Sequence, residues 1–235
     1  MTGRSHITVG LLGTASLAML HGVTMDFLGF QLLTPLLVLG SPLGSILTDI
    51  DHHNSKASNK FKVVGKLVNN KVVGKVSKHR GLFHSIWPVT GINMGALFIA
   101  ELLTSPEYIG IVTILMFIYT GLMAVLAYLG KLPKFDITTI GLLSMPVLVV
   151  ILTILSNMDP YSIILSFLAG VSIGYALHIF LDMFNPKGVK LLWPIGITFK
   201  IPFVNITTGT AGETILVLAF VILFMGAVFM KGGLI

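Results

Sequence analysis

The chain has no cysteine and very little charge. Without cysteine there is no disulfide framework, no thiolate metal site and no cysteine nucleophile, so any metal must be held by His, Asp or Glu. Charged residues make up only 10% of the 235 positions, whereas a soluble domain carries about 25%. A soluble domain of this length would need far more charge on its outward surface, which excludes that class. A phosphate-cradling GxxxxGK[ST] loop is also missing, which argues against a nucleotide hydrolase.

Apolar residues fill the place of charge. They make up 54% of the chain, mean hydropathy is +0.95, and the apolar runs fall at Ile7–Met25, Phe27–Leu47, Leu82–Leu103, Tyr108–Leu129, Ile137–Leu155, Tyr161–Leu181 and Thr214–Met230. Each run approaches the roughly 20 residues that cross a bilayer as a helix. The sequence therefore predicts an all-α polytopic membrane protein, one membrane domain over 1–235 with about seven transmembrane helices. The first run is read as an uncleaved helix rather than a signal peptide because further spans follow at once. Pro35, Gly40, Pro42 and Gly44 mark the second as kinked or broken.

Alternating the spans puts Arg4, the Lys and Arg residues from Lys56 to Arg80, Lys131, Lys134, Lys187, Lys190 and Lys200 on one side. Only Lys231 falls on the other, so fourteen of the 15 basic residues share a face. By the positive-inside rule that face is cytoplasmic and holds the amino terminus. Two long connections lie there. The basic loop 51–80 repeats KVVGK, with Phe61, Val64, Val68, Val72 and Val76 at helical spacing among lysines. It reads either as an amphipathic segment on anionic headgroups or as a solvated topology loop. With Phe61 the one aromatic among its lysines, the loop lacks aromatic interleaving, and nucleic acid is not expected as a partner. The second connection, 183–212, carries a Pro-Lys-Gly turn and β-branched residues, predicting a small irregular or hairpin flap.

The histidines and several acids collect on the same face. His178 and Asp182 form an HxxxD pair, and four residues apart on a helix they share a side and can meet one ion. Gly174, Gly170 and Ser166 continue that ridge and permit close helix packing. Asp49 and Asp51 diverge by about 200° on a regular helix, so joint ligation requires the backbone to leave the helix near Asp49. An EF-hand does not fit, since the sixth position counted from Asp49 is Asn54 and the twelfth is Lys60. His79 and His84 flank Arg80-Gly81, and the Arg80 fork suits a phosphate or carboxylate. His6 is either a further ligand or a solvent-facing residue. Glu213 is either a ligand or, with Thr210, a capping box.

This donor set exceeds what one zinc needs and suits two or more ions, with manganese and iron(II) compatible alongside zinc. The ordered motifs His6, SILTDIDHHNS, KHRGLFHS, GYALHIFLD with PKGVKLLWP, and Glu213 resemble the YdjM-like family of inner-membrane proteins, described as membrane-bound metal-dependent hydrolases. Thr48 stands where that family's DxDH motif has a leading proline. The HxxxD pair is also similar to the ligands of zinc-dependent phospholipase C. The resemblance implies hydrolysis of a lipid or amphiphilic phosphoester at the cytoplasmic face. Metal would be held by His6, Asp49, Asp51, His79, His84, His178, Asp182 and Glu213, with Asp49, Asp51, His84 and Asp182 catalytic and Arg80 on the substrate. Two other classes are alternatives: a metal-ion transporter or sensor using the same residues as a passage site, and a non-catalytic membrane scaffold whose basic loop binds lipid or a partner. Oligomeric state is not written in the sequence.

Overall fold

A computed structural model describes residues 2–22, 24–27, 30–51, 81–104 and 160–231. Helix α1 is Gly3–His21; the Thr2 hydroxyl caps it by accepting from the Ser5 amide. Its end is set by Gly22 at φ 81°, a conformation that favours glycine, with the Gly22 amide bonded to the Ala18 carbonyl. Strands β1 (Thr24–Phe27) and β2 (Phe30–Leu33) pair antiparallel, Thr24 opposite Leu33. Then come α2 (Thr34–Leu47), α3 (Ile86–Thr104), α4 (Pro160–Asp182) and α5 (Ala211–Lys231).

Five α-helices are thus present among the described residues, and seven spans are not supported. The expected spans at 108–129 and 137–155, like most of the basic loop 51–80, lie outside those residues. The expected span Phe27–Leu47 is corrected. Its first part is strand, and the helix starts only at Thr34, with Pro35 in the first turn where its missing N–H costs nothing. At 14 residues α2 is about 21 Å long, short of the roughly 30 Å hydrocarbon core. Helices α4 and α5 have the length and hydropathy to cross a membrane. Of α5's most apolar window only 6% is buried, and Ile215, Leu218, Ile222, Leu223 and Met230 are exposed. So large an apolar face is stable against lipid rather than water.

The chain divides into two compact units, Met1–Asn93 with Ser166–Ile235, and Met94–Leu165. Described residues of the second are only the end of α3 and the start of α4. In the first unit α2 and α4 cross at glycines. A methyl at Gly40 or Gly44 would overlap the backbone of Phe167 or Val171, and one at Gly170 or Gly174 that of Leu37 or Ser41. Helix α1 packs on α2 and α5. Thr2 meets Glu213 at one end and Leu20 meets Lys231 at the other, so α1 and α5 run parallel. Helix α2 runs parallel to α4, since Gly40 faces Phe167 while Gly44 faces Tyr175. The starts of α1 and α5 and the ends of α2 and α4 consequently share one end of this unit.

Between α4 and α5 the chain is mostly turns, with one antiparallel bridge, Val189 to Phe199. It is held to the helices by backbone bonds, from Ile201 to the Met183 carbonyl, Ile206 to that of Phe184 and Ile86 to that of Leu191.

Candidate metal centre

Five predicted side chains meet at that shared end: His6, Asp49, His84, His178 and Asp182. His178 and Asp182 arrive from the last turn of α4, four residues apart, with Nε2 3.9 Å from Oδ2. Asp49 arrives where α2 gives way to a 3-10 turn, Thr48–Asp51. Its Oδ1 lies 3.7 Å from His178 Nε2 and 3.8 Å from His84 Nε2. His84 closes a second 3-10 turn, Leu82–His84, and its Nε2 stands 3.3 Å from Asp182 Oδ2. His6, one turn into α1, approaches Asp182 Oδ1 at 3.5 Å, and its ring stacks on that of His178 with centroids 3.5 Å apart. His6, His84, His178 and Asp182 are all at most 2% exposed.

The donor identities and spacings fit a metal ion. The Nδ1 of His178 bonds the Ser45 carbonyl at 2.6 Å. A carbonyl only accepts, so Nδ1 carries the proton and Nε2 presents a lone pair. That buried Nε2 has no hydrogen-bond donor against it and is aimed at two carboxylates. Ligand atoms about 2.0–2.2 Å from one tetrahedral zinc stand roughly 3.3–3.5 Å apart, near the 3.3–3.9 Å separations here. Two triads have donor atoms mutually within 4.8 Å, His6–His178–Asp182 and Asp49–His84–His178. They share one nitrogen with one lone pair, so they form one centre and not two independent sites.

Some expected members are elsewhere. The Glu213 carboxylate accepts from the Thr2 amide at 2.6 Å, the Ser5 hydroxyl at 2.5 Å and the Gly209 amide at 2.6 Å, and it belongs to neither triad. Thr210 does not complete a capping box: its hydroxyl bonds the Thr207 carbonyl. The Asp51 side chain, His79 and Arg80 lie outside the described residues.

Other contributors carry no ligand chemistry of their own. Ser45 orients His178 through its backbone carbonyl, a role that no side-chain pattern signals. The buried Tyr175 hydroxyl donates to the carbonyls of Phe83 at 2.6 Å and Ser85 at 3.1 Å, which pins the His84 turn to α4. Tyr175 lies one helical turn before His178, and that i, i+3 spacing is the sequence signal that could have found it. The letters GxSxG occur at Gly170–Gly174, but that stretch is continuous α-helix and Ser172 bonds the Leu168 carbonyl and Asn93. It lacks the strand-to-helix turn of a nucleophile elbow.

Fold and centre together define a helical membrane protein with a buried His/Asp cluster able to hold metal. The chain belongs to the YdjM inner membrane protein family, whose model matches residues 1–131 and 138–235. No curated protein and no solved structure matches it.

Proposed function

We propose that this inner-membrane protein is a metal-dependent hydrolase acting on a lipid or other amphiphilic phosphoester at the cytoplasmic face. The observation that carries the reading is the His178 lone pair, fixed by Ser45 and set among His6, His84, Asp49 and Asp182 without a hydrogen-bond donor. Purely structural histidines are satisfied by hydrogen bonds, and an oriented, donor-free imidazole between carboxylates suits a metal ion.

In this reading Asp49, His84 and His178 hold one ion, three protein donors being the pattern that leaves a position open for water. His6 and Asp182, which form the other triad with His178, would extend the set toward a further ion. Zinc suits the nitrogen and oxygen donors, and manganese and iron(II) accept the same set. When bound, such an ion lowers the pKa of its water toward neutrality and polarises a phosphoryl oxygen. The chain's own part is to orient and exclude. Ser45 holds the His178 tautomer, Tyr175 holds the His84 turn, and burial of four of the five side chains keeps bulk water from competing for the donors. Arg80, next to the Gly81 that opens the His84 turn, takes the anionic group of the substrate. The cytoplasmic placement follows the sequence expectation, in which alternating seven spans leaves fourteen basic residues on one side and Lys231 on the other.

The test is elemental analysis of detergent-purified protein, followed by a hydrolysis screen over phospholipids and soluble phosphoesters with the bound metal. Stoichiometric metal, with hydrolysis abolished in Asp182→Ala, is the expected result. Protein without a transition metal, or full activity in Asp182→Ala, overturns the reading.

A further inference from the structure

Helix α1 brings one donor, His6, into a centre otherwise built from α2, α4 and the turn before α3. Its register therefore decides whether His6 reaches Asp182, since a shift of one residue turns the side chain by about 100°. The start of α1 is tied down at one group. Glu213, 3% exposed on the first turn of α5, accepts from the Thr2 amide and the Ser5 hydroxyl through Oε1 and from the Gly209 amide through Oε2. The Thr2 and Ser5 hydroxyls are themselves 2.8 Å apart, and the Ser5 amide bonds Thr2, so cap and clamp form one network. His6 follows directly, its amide bonded to the Thr2 carbonyl.

We propose that Glu213 is a positioning residue for His6: it locks the start of α1 against α5 and thereby holds the His6 imidazole in the centre without binding metal itself. The role deepens the metal-centre reading above and rests on it for its functional meaning. The geometry favours this over direct ligation because both Glu213 oxygens are already occupied by three donors that have no role in the centre. A neutral amide would accept at one position only, so Glu213→Gln keeps part of the clamp and Glu213→Ala removes it.

The test uses full-length protein in detergent, comparing wild type, Glu213→Ala, Glu213→Gln, His6→Ala and the Glu213→Ala/His6→Ala double variant. Cobalt(II) affinity and its visible spectrum are measured alongside the carbethoxylation rate of each histidine by diethyl pyrocarbonate, read by peptide mass spectrometry. Glu213→Ala is expected to weaken cobalt binding by about 10–100-fold, the range for groups that orient a ligand, and to shift the spectrum as His6→Ala does. Glu213→Gln falls between, and the double variant binds no more weakly than His6→Ala. His6 modification is expected to rise at least about tenfold in Glu213→Ala while His178 stays protected, which shows that the fold persists. Unchanged His6 modification overturns the proposal, as does a further loss of affinity on adding Glu213→Ala to His6→Ala. If wild type binds no cobalt, the hydrolase reading fails while the modification rates still decide the clamp.

Discussion

The ring of His178 and the backbone carbonyl of Ser45 meet at 2.6 Å although 133 positions separate them in the chain. This bond joins the ends of α2 and α4 and selects which imidazole nitrogen faces Asp49 and Asp182. Because the acceptor is backbone, it persists whatever side chain stands at position 45, provided that α2 and α4 stay close. Both triads of the centre depend on it.

His178→Ala should therefore cost more than the loss of any donor confined to one triad. Second-sphere changes weaken metal binding by about 10–100-fold, so loss of the shared ligand is expected to exceed about 100-fold. Asp49→Ala and His6→Ala each break one triad and should leave measurable binding. Chelator competition on the purified variants gives the ranking, and equal losses in all three would contradict it.

Tyr175→Phe keeps the ring and removes the hydroxyl that spans the Phe83 and Ser85 carbonyls. Leaving those acceptors without their donor is expected to destabilise by about 1–3 kcal/mol. The His84 turn loses its tether, so metal affinity should fall by about 10–100-fold. Thermal unfolding and metal titration on the same sample separate the two effects.

Gly44→Ala and Gly174→Ala test the helix crossing. The added methyl meets main-chain atoms of Val171 or Ser41, which cannot rotate away as a side chain would. Overpacking of this kind costs about 1–3 kcal/mol, and separating α2 from α4 also lengthens the Ser45–His178 bond. Both variants should melt earlier and bind metal less tightly, whereas Gly226→Ala, with open space around its Cβ, should do neither.

Removing metal should loosen the same region. An ion at about 100 times its dissociation constant stabilises the folded chain by about 2.7 kcal/mol. Chelation is expected to lower the melting temperature and re-addition to restore it. The chain's two tryptophans suit the measurement, because the Trp87 indole donates to the Trp193 carbonyl at 2.5 Å and so reports on the connection after α4. An unchanged melt after complete removal of the ion would count against the centre.

Much was legible from composition and spacing. Scarcity of charge and long apolar runs report on the solvent a helix faces, which is a local property, so membrane class and the ends of α4 and α5 could be read directly. The HxxxD spacing places His178 and Asp182 on one side of any helix, and the glycine ridge behind them predicts a close crossing. The short α2 was not legible: its apolar run continues back through strand β2, and lipid exposure and burial within protein leave the same apolar signature.

What the sequence by itself determined is the solvent, the donor types and the faces of individual helices. Only the tertiary structure decided which donors meet. His6 and Glu213 carried equal promise as ligands, yet one stacks on His178 while the other spends its carboxylate on Thr2, Ser5 and Gly209. The deciding contacts join residues 133 to 211 positions apart, and they follow from how closely glycine-lined helices pack, a distance that no local pattern encodes.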